Sequence, residues 1–237
     1  MQSYTLHPIG IIHSPYNQKF GTPRQPGLVK AKCSIELLSP YNTIDALKGL
    51  DGFSHIWVSF VFHQAIREHW KPTVRPPRLG GDEKVGVFAS RAPFRPNHLG
   101  LSVVKLINTE EKPGKILLQV DGLDAIDGTP VVDIKPYIPY VDAISDAVDG
   151  FASGAPEKKL KVEFSEQARR QLDNLENSKE FHQFIMDVLG LDPRPAYKNN
   201  ELDGEYGILL QHHNIRWRVS ADTAVVESIK IMIARES

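Results

Sequence analysis

The sequence has little cysteine and no long apolar run. A single cysteine, Cys33, stands among 237 residues, which excludes an internal disulfide and any metal site built from several cysteines. No apolar stretch approaches the roughly 20 residues that a membrane-spanning helix needs. The first residues, MQSYTLHPIGIIHSPY, lack the basic, apolar and small-residue regions of a secretory signal. We therefore expect a cytoplasmic protein with no membrane contact.

The common cofactor and catalytic motifs are also absent. The sequence contains no GxGxxG after a predicted strand, no GxxxxGKS or GxxxxGKT, no GxSxG and no HExxH. Nine histidines are present, but the adjacent pair His212 and His213 would point to opposite faces of a strand and could not share an ion. We therefore predict no metal site.

The charge is unevenly distributed, although the net charge is only −1. Residues 1–145 contain 16 Lys and Arg against 13 Asp and Glu, whereas residues 146–237 contain 12 against 16. Between Arg67 and Arg95, seven basic residues accompany three acidic ones. Such a segment is typical of a surface that binds a polyanion, and the alternative is an ordinary solvated loop.

The first 140 residues read as short strands separated by Gly, Pro, Asn and Asp turns. Many short strands at regular spacing favour a closed β-barrel or a sandwich. The segment 53–62 is apolar at nearly every position, so we expect both of its faces to be covered. The predicted strands are 6–12, 31–37, 53–62, 85–89, 101–107, 116–120 and 131–138.

The pattern changes after residue 140. Residues 141–157 are rich in Asp, Ala, Ser and Gly and predict a linker. Ser165 and Ser178 are candidate N-caps of two helices, and two strands, 206–210 and 215–219, follow with a third after them. The sequence therefore predicts a mainly β first domain, 1–145, and a small α+β domain, 146–237.

Two polar segments of the first domain are stiffened by proline. Prolines fix their own φ and keep the preceding residue extended, so TPRQPG (22–27) and SRAPFRPNHLG (90–100) present polar groups in fixed positions. A preorganised array of donors loses less entropy when it binds a ligand. The alternative for Arg91 and Arg95 is an ion pair with an acidic side chain.

Two further polar segments stand at strand ends. GLDAIDGTP (122–130) lies between two predicted strands; its Asp127-Gly128 pair alone would indicate an ordinary hairpin turn, but the segment is longer than such a turn needs. The pair His63 and Gln64 follows directly on the apolar strand 53–62, where binding sites tend to be built. The residues by themselves thus indicate a ligand site near a polyanion-binding surface.

These segments resemble the TsaA-like family of tRNA methyltransferases, and two C-terminal motifs resemble the extra unit of its bacterial members. The resemblance therefore covers almost the whole chain. The motifs are SPY (14–16), PRQPGLVK (23–30), FSHIWVSFVFHQ (53–64), RPPRLGG (75–81), GVFASRAPFRPNHLGLSVVKL (86–106), LDAIDGTPVVDIKPYIPY (123–140), DPRPAY (192–197) and NIRWRV (214–219).

The resemblance implies a homodimeric enzyme whose N-terminal domain is a closed β-barrel. It would use S-adenosylmethionine to methylate N6 of N6-threonylcarbamoyladenosine, the modified adenosine 3′ of the anticodon in threonine tRNA. There are two alternatives. One is an enzyme with the same donor site that methylates another acceptor. The other is a module that binds the modified tRNA or the donor without turnover. The donor-site residues implied are Pro23, Arg24, Gln25, His63, Gln64, Arg91, Leu101, Asp124, Ala125, Ile126 and Asp127.

Substrate contacts and a general base are less well defined by the sequence. Arg95 suits either a phosphate or the threonyl carboxylate, because guanidinium binds a carboxylate through two parallel bonds. His98 stands where relatives are expected to have proline, and we expect this to loosen the turn. The candidate base is Tyr137, with Asp133 and Lys135 as alternatives. The candidate tRNA contacts are Arg75, Arg78, Arg95, Asn97, Arg194, Arg216 and Arg218.

Overall fold

Six antiparallel strands of the N-terminal region close into a barrel. The computed structural model describes residues 2–195 and 203–232. Its first eight strands are β1 (Gly10–His13), β2 (Lys32–Leu37), β3 (His55–Val61), β4 (Thr73–Val74), β5 (Val85–Gly86), β6 (Leu99–Lys112), β7 (Lys115–Asp121) and β8 (Pro130–Pro136). The barrel has the order β1-β2-β7-β6-β3-β8 and closes through β1 and β8, while β4 and β5 form a separate two-stranded sheet. The predicted closed barrel is confirmed.

Alternation of side chains fills the barrel. In β3, Ile56, Val58 and Phe60 point inward and are at most 2% exposed, whereas the residues between them are half-buried. The expectation that both faces of 53–62 are covered is wrong, because a barrel buries one face of each strand completely and leaves the other partly open. The predicted segment 6–12 also forms a strand only from Gly10 onward.

Three polar loops leave the barrel at the same end. Residues 14–31 connect β1 to β2, residues 62–98 connect β3 to β6, and residues 122–129 connect β7 to β8. Since the strands are antiparallel and these connections alternate with those of the other end, all three emerge together. We call them the first, second and third rim loops. They contain every polar segment that the sequence singled out.

The C-terminal unit is a four-stranded sheet with two helices. After α1 (Pro139–Asp142) and a mostly irregular segment come β9 (Lys161–Phe164), α2 (Glu166–Asp173), α3 (Ser178–Gly190), β10 (Asp203–Leu210), β11 (His213–Ser220) and β12 (Thr223–Ile231). The sheet has the order β10-β11-β12-β9, with β9 parallel to β12. The sequence did not predict β9, whose four residues are too short for a periodic signal.

Of the two predicted helix N-caps, Ser165 is confirmed and Ser178 is wrong by one residue. The Ser165 hydroxyl accepts a hydrogen bond from the Ala168 N–H at 3.1 Å, as an N-cap should. Ser178 is instead the first residue of α3, and Asn177 occupies the cap position without a side-chain bond. Among the described residues no helix is long and apolar enough to cross a membrane.

The C-terminal unit packs against the first rim loop. Tyr16 bridges to Leu210 and its ring lies 5.7 Å from that of Phe184. Gly21 has φ +90°, and a Cβ there would lie 2.0 Å from Cδ1 of Ile208. This position therefore requires glycine for both backbone and contact reasons. The contact holds the C-terminal sheet beside the end of the barrel that carries the rim loops.

Candidate functional site

The first and third rim loops meet at two glycines. The Gly27 N–H donates to the Gly122 carbonyl at 2.8 Å. Gly122 has φ +78°, and a Cβ there would lie 3.1 Å from the Cα of Gly27, so only glycine permits this approach. A cleft of about 200 Å³ lies beside the contact and is lined by Gly27, Val29, Lys30, His55, Val103, Val104, Lys105, Asp121 and Gly122.

Asp124 is an acid of the site whose pKa is shifted by its surroundings. Its half-buried carboxyl accepts a hydrogen bond from the Ser102 hydroxyl at 2.6 Å. Burial raises the pKa of Asp124, while the bond from Ser102 and the charge of Arg91 oppose that rise. Leu101, the neighbour of Ser102 on β6, is 53% exposed on the outer face of the barrel. Burial thus disfavours the charged form of this carboxyl, and a cation bound beside it would favour that form.

The rest of the third rim loop is fixed to the first. The Ser14 hydroxyl donates to the Ala125 carbonyl at 2.7 Å, and the Ser14 N–H donates to the Asp127 carboxylate at 3.0 Å. The carbonyl of Ile126 accepts from the Thr129 hydroxyl at 2.6 Å. β7 and β8 are not neighbours in the barrel, so the hairpin interpretation of Asp127-Gly128 is wrong.

Arg91 connects the second rim loop to the first. Its guanidinium donates to the side-chain oxygen of Gln25. Pro23, two residues before Gln25, is half-buried. Arg24 is exposed, and its guanidinium donates to the Arg194 carbonyl at 3.4 Å. Among the described residues Arg91 forms no direct ion pair with an acid, and its charge acts on nearby Asp124.

His63 and Gln64 begin a short 3-10 turn directly after β3. The Phe62 N–H donates to the His98 carbonyl at 2.8 Å, which joins the two ends of the second rim loop. The Lys19 ammonium donates to the carbonyl of Gln64, which ties it to the first. All four predicted donor segments therefore lie on interconnected loops at one end of the barrel.

The end of the second rim loop has a defined turn. His98 has φ +53°, a conformation that proline cannot adopt, and its N–H donates to the Arg95 carbonyl at 3.2 Å. The turn at His98 is thus closed by a bond that proline could not make. A Cβ at Gly100 would lie 2.3 Å from the Phe60 ring, so glycine is required there.

Arg95 and Asn97 occupy different positions in this loop. Arg95 is half-buried and donates to the carbonyls of Val87 at 3.1 Å and Ser90 at 2.6 Å. It therefore anchors backbone instead of pairing with an acidic side chain among the described residues. Asn97 is exposed at the surface of the loop, where it is accessible to a ligand.

The predicted tRNA-contact arginines differ in their accessibility. Arg75 and Arg78 are exposed, and Arg78 donates to the carbonyls of Ser153 and Gly154 at 2.6 Å each. Arg194 is 2% exposed, and its guanidinium forms a two-bond pair with Asp192 at 2.8 and 2.9 Å. Its prediction as a tRNA contact is corrected: this side chain is part of the core. Ala196 and Tyr197 of DPRPAY lie outside the described residues.

Arg216 and Arg218 lie on the outer face of the C-terminal sheet. Arg216 borders a groove of about 290 Å³ lined by Glu205, Tyr206, Gly207, Asn214, Arg216, Trp217 and Glu227. Arg218 pairs with Glu227 at 3.0 Å. Both side chains are exposed, so this face combines accessible positive charge with a shallow groove.

Tyr137 follows β8 and packs beside the cleft. Its N–H donates to the His55 carbonyl at 3.0 Å, and its ring lies 6.3 Å from that of His55, which lines the cleft, and 6.0 Å from that of Trp57. Lys135 and Asp133 pair with each other at 3.5 Å. No group of three His, Cys, Asp or Glu side chains in the described ranges is arranged to hold a metal ion.

Sequence reasoning missed the two serines that organise the site. Ser14 and Ser102 each donate a hydrogen bond to the third rim loop. Ser14 belongs to the SPY motif, which carried part of the resemblance, but Ser102 sits within an apolar strand pattern. A serine at an inward-facing strand position, where it is 2% exposed, needs a hydrogen-bond partner, and that was the available signal.

Comparison with known proteins identifies the family. The family model for the tRNA-methyltransferase O N-terminal domain matches residues 11–143, and that for the TrmO C-terminal domain matches residues 157–231. The chain is 48% identical over 225 residues to the tRNA (adenine(37)-N6)-methyltransferase of Escherichia coli K12, covering 93% of this chain and 95% of that one.

A relative and a solved structure from Pseudomonas aeruginosa agree with this match. The chain is 45% identical over 220 residues to a putative S-adenosylmethionine-dependent methyltransferase named RcsF, covering 91% of this chain and 92% of the relative. The crystal structure of TrmO from this organism superposes with a TM-score of 0.78 at 37% identity, covering 97% of this chain and 99% of that one. The chain belongs to the tRNA-methyltransferase O family.

Proposed function

We propose that this chain transfers a methyl group from S-adenosylmethionine to N6 of adenosine 37 in tRNA. The observation that carries the proposal is the 48% identity over 225 residues to the Escherichia coli tRNA (adenine(37)-N6)-methyltransferase. The resemblance described for the sequence narrows the substrate to N6-threonylcarbamoyladenosine in threonine tRNA.

The rim loops offer groups that fit the methyl donor. S-adenosylmethionine carries a carboxylate, an ammonium, a sulfonium and an adenosine. Asp124 and Asp127 supply carboxylates for cationic or hydroxyl groups, and Arg91 supplies a guanidinium. Gly27 and Gly122 have no side chains, so none covers the backbone at their contact. We assign the donor site to Pro23, Arg24, Gln25, His63, Gln64, Arg91, Leu101, Asp124, Ala125, Ile126 and Asp127.

These residues would act by holding and orienting the methyl donor. When bound, the donor would supply an activated methyl group on a sulfonium; its transfer to N6 would break the carbon–sulfur bond, leave a neutral thioether and release the N6 proton to a nearby base or to water. Positive charge disappears in this displacement, so alignment and exclusion of water are the main contributions expected of the protein. The loops are fixed by hydrogen bonds that Ser14 and Ser102 donate and by the one that Gln25 accepts from Arg91, and this fixation meets the need for alignment.

Tyr137 is the residue that we propose to assist the acceptor. N6 of the modified adenosine is poorly basic, and a nearby group that accepts its proton or stabilises its charge would help. Tyr137 packs on His55, which lines the cleft beside Gly27 and Gly122. Asp133 and Lys135 neutralise each other as a pair, which makes them weaker candidates.

We infer that tRNA lies across both parts of the chain, which divide at about residues 1–145 and 146–237. One part of the tRNA would contact the exposed side chains of Arg75, Arg78 and Asn97 in the second rim loop. Half-buried Arg95 would support that loop through its bond to the Ser90 carbonyl. Arg216 and Arg218 would contact another, so the C-terminal sheet assists binding. Phosphate contacts of this kind release counterions, and the affinity should fall as salt rises.

We infer that the protein works as a cytoplasmic homodimer. The outer face of the barrel exposes apolar side chains on β6: Leu99, Leu101 and Ile107 are 38%, 53% and 52% exposed. Exposed Lys105 lies between Leu101 and Ile107 on this face, and the apolar side chains around it fit burial against a second copy. Leu101 belongs to the proposed donor site, so a second copy on this face would also help to enclose the donor.

Methyl transfer tests the proposal directly. The purified chain is incubated with S-adenosylmethionine and threonine tRNA that carries threonylcarbamoyladenosine but lacks its methyl group, and the nucleosides are read by mass spectrometry. The proposal expects one added methyl on that nucleoside alone. A methyl on another nucleoside would identify a different acceptor, and donor binding without any product would identify a non-catalytic module; either result would reject the proposed reaction.

A further inference from the structure

Two aromatic side chains lie exposed and side by side outside the proposed donor site. Trp70 is 51% exposed and Phe88 is 74% exposed. Their ring centroids are 6.4 Å apart and their planes differ by 32°. Large aromatic rings are costly to leave in water, and a neighbouring pair of them on the surface indicates a binding function.

The fold holds this pair in place. β4 pairs with β5, with Thr73 opposite Gly86, and the Val87 N–H donates to the Pro72 carbonyl at 2.8 Å. These bonds bring the segment of Trp70 next to that of Phe88. Val87 is 1% exposed, so it anchors the short turn from which Phe88 projects outward. The aromatic pair is therefore built by backbone pairing.

Arginines accompany the aromatic rings. The Arg95 guanidinium carbon lies 5.9 Å from the Phe88 ring centre, and Arg95 is held by its bonds to the Val87 and Ser90 carbonyls. In the same rim loop the Arg67 guanidinium carbon lies 3.6 Å above the ring of Phe94. The segment from Arg67 to Arg95 contains seven basic and three acidic residues.

Aromatic faces next to arginines are suited to unpaired nucleotides. Each base presents a flat face that stacks on an aromatic ring, while the cationic groups contact the phosphates. A second copy of this chain would bring another positive segment to the same place and be repelled. The charge of the segment therefore favours a polyanion over a copy of the chain.

We propose that Trp70 and Phe88 form a stacking platform for an unpaired base of the RNA substrate. The proposal rests on the proposed function, in which the target adenosine lies in the single-stranded anticodon loop. The platform is part of the second rim loop, which also carries Arg91 and Asn97. A base stacked here would hold the loop of the tRNA open beside the donor site.

The test measures RNA binding without methyl donor. An anticodon stem-loop RNA and a duplex RNA of equal length without a loop are titrated into the full chain and followed by fluorescence anisotropy. Trp70→Leu and Phe88→Leu should each weaken stem-loop binding about tenfold, the scale of a lost base–aromatic stack, and change duplex binding little. Trp70→Phe should bind within about twofold of the parent, because it keeps an aromatic face.

A control and a second readout keep the result clear. Tyr4 is 81% exposed on the N-terminal segment, and Tyr4→Leu should leave binding unchanged. Stem-loop RNA should quench the tryptophan fluorescence of the parent, and the quenching should be lost in Trp70→Phe, which reports contact even if a leucine variant folds poorly.

Three outcomes would overturn the platform. In the first, both leucine variants bind the stem-loop as tightly as the parent. In the second, they lose as much affinity for the duplex as for the stem-loop. In the third, substitution of Trp70 lowers the molar mass measured by light scattering, which would mean that a second copy covers the pair. The two proposals fail separately: parent-like stem-loop binding by the leucine variants would refute the platform alone, whereas a parent without methyl transfer would refute the proposed function alone.

Discussion

The barrel and the C-terminal sheet use arginine in different ways. In the barrel, Arg91 links two rim loops through Gln25 and acts on the half-buried carboxyl of Asp124. In the C-terminal unit, Arg194 is buried against Asp192, and Arg218 pairs with Glu227 on the surface. The comparison shows that burial and the partner group, not the residue type, separate a candidate ligand-binding arginine from one that holds the fold together.

Breaking the buried pair should have the largest effect on stability. Arg194→Met leaves the carboxylate of Asp192, which is 4% exposed, without its cation, and the free energy of unfolding should fall by about 3–5 kcal/mol. Arg218→Gln, the matched surface change, should cost less than about 1 kcal/mol. Urea denaturation of the two variants measures the difference. Equal small losses would mean that the buried pair contributes no more than the surface pair.

Two glycines extend the comparison to packing. Gly100→Ala places a Cβ 2.3 Å from the Phe60 ring and should destabilise the barrel by about 1–3 kcal/mol through overpacking. In Gly207→Ala the new Cβ lies 3.6 Å from the Asn214 side-chain oxygen, an ordinary contact, and stability should change little. Thermal denaturation compares the stabilities of the two variants. A Gly100→Ala variant as stable as Gly207→Ala would contradict the tight packing between β3 and β6.

Asp124 should show opposite effects on stability and on donor binding. Its pKa is raised by burial, so the folded chain holds the proton more tightly than the unfolded one and ionisation destabilises the fold. Asp124→Asn should therefore raise the melting temperature at neutral pH by on the order of 2 °C, a gain that shrinks as the pH falls toward the ordinary carboxyl pKa of about 3.9.

The same variant should weaken S-adenosylmethionine binding about tenfold, because a charge-assisted bond contributes roughly 1.5–3 kcal/mol. Binding by the parent should also weaken as the pH falls through the raised pKa of Asp124, since the protonated carboxyl no longer attracts a cation. Calorimetric titration over a pH series measures the donor affinity of the variant and the pH dependence of the parent's donor affinity. Unchanged donor affinity in Asp124→Asn would remove this residue from the donor site.

Arg216 and Arg218 give the smallest expected effect. Arg216→Gln should reduce the slope of log affinity for tRNA against log salt by about one, as expected for one lost phosphate contact, with little change in stability. Arg218→Gln should reduce it less, because Arg218 is already paired with Glu227. Filter binding over a salt series measures the slopes, and slopes equal to that of the parent would place tRNA away from this sheet.

The sequence predicted local structure better than tertiary contacts. Alternation located most barrel strands, and proline and glycine marked the polar loops correctly, because both signals act over a few residues. The choice of a barrel over a sandwich came from the resemblance. Burial of Arg194 depends on how the chain around Asp192 packs, and the Ser102–Asp124 bond joins residues 22 positions apart. Local patterns do not show which residues make such contacts.

Hydrogen–deuterium exchange of the full chain with and without S-adenosylmethionine tests the central claim most directly. The claim is that the rim loops of the barrel, and not the C-terminal sheet, hold the methyl donor. The account predicts slower exchange on adding the donor in residues 22–27, 62–65, 90–98 and 122–128, with β10 and β11 unchanged. Protection confined to β10 and β11, with the rim loops exchanging as before, would contradict it.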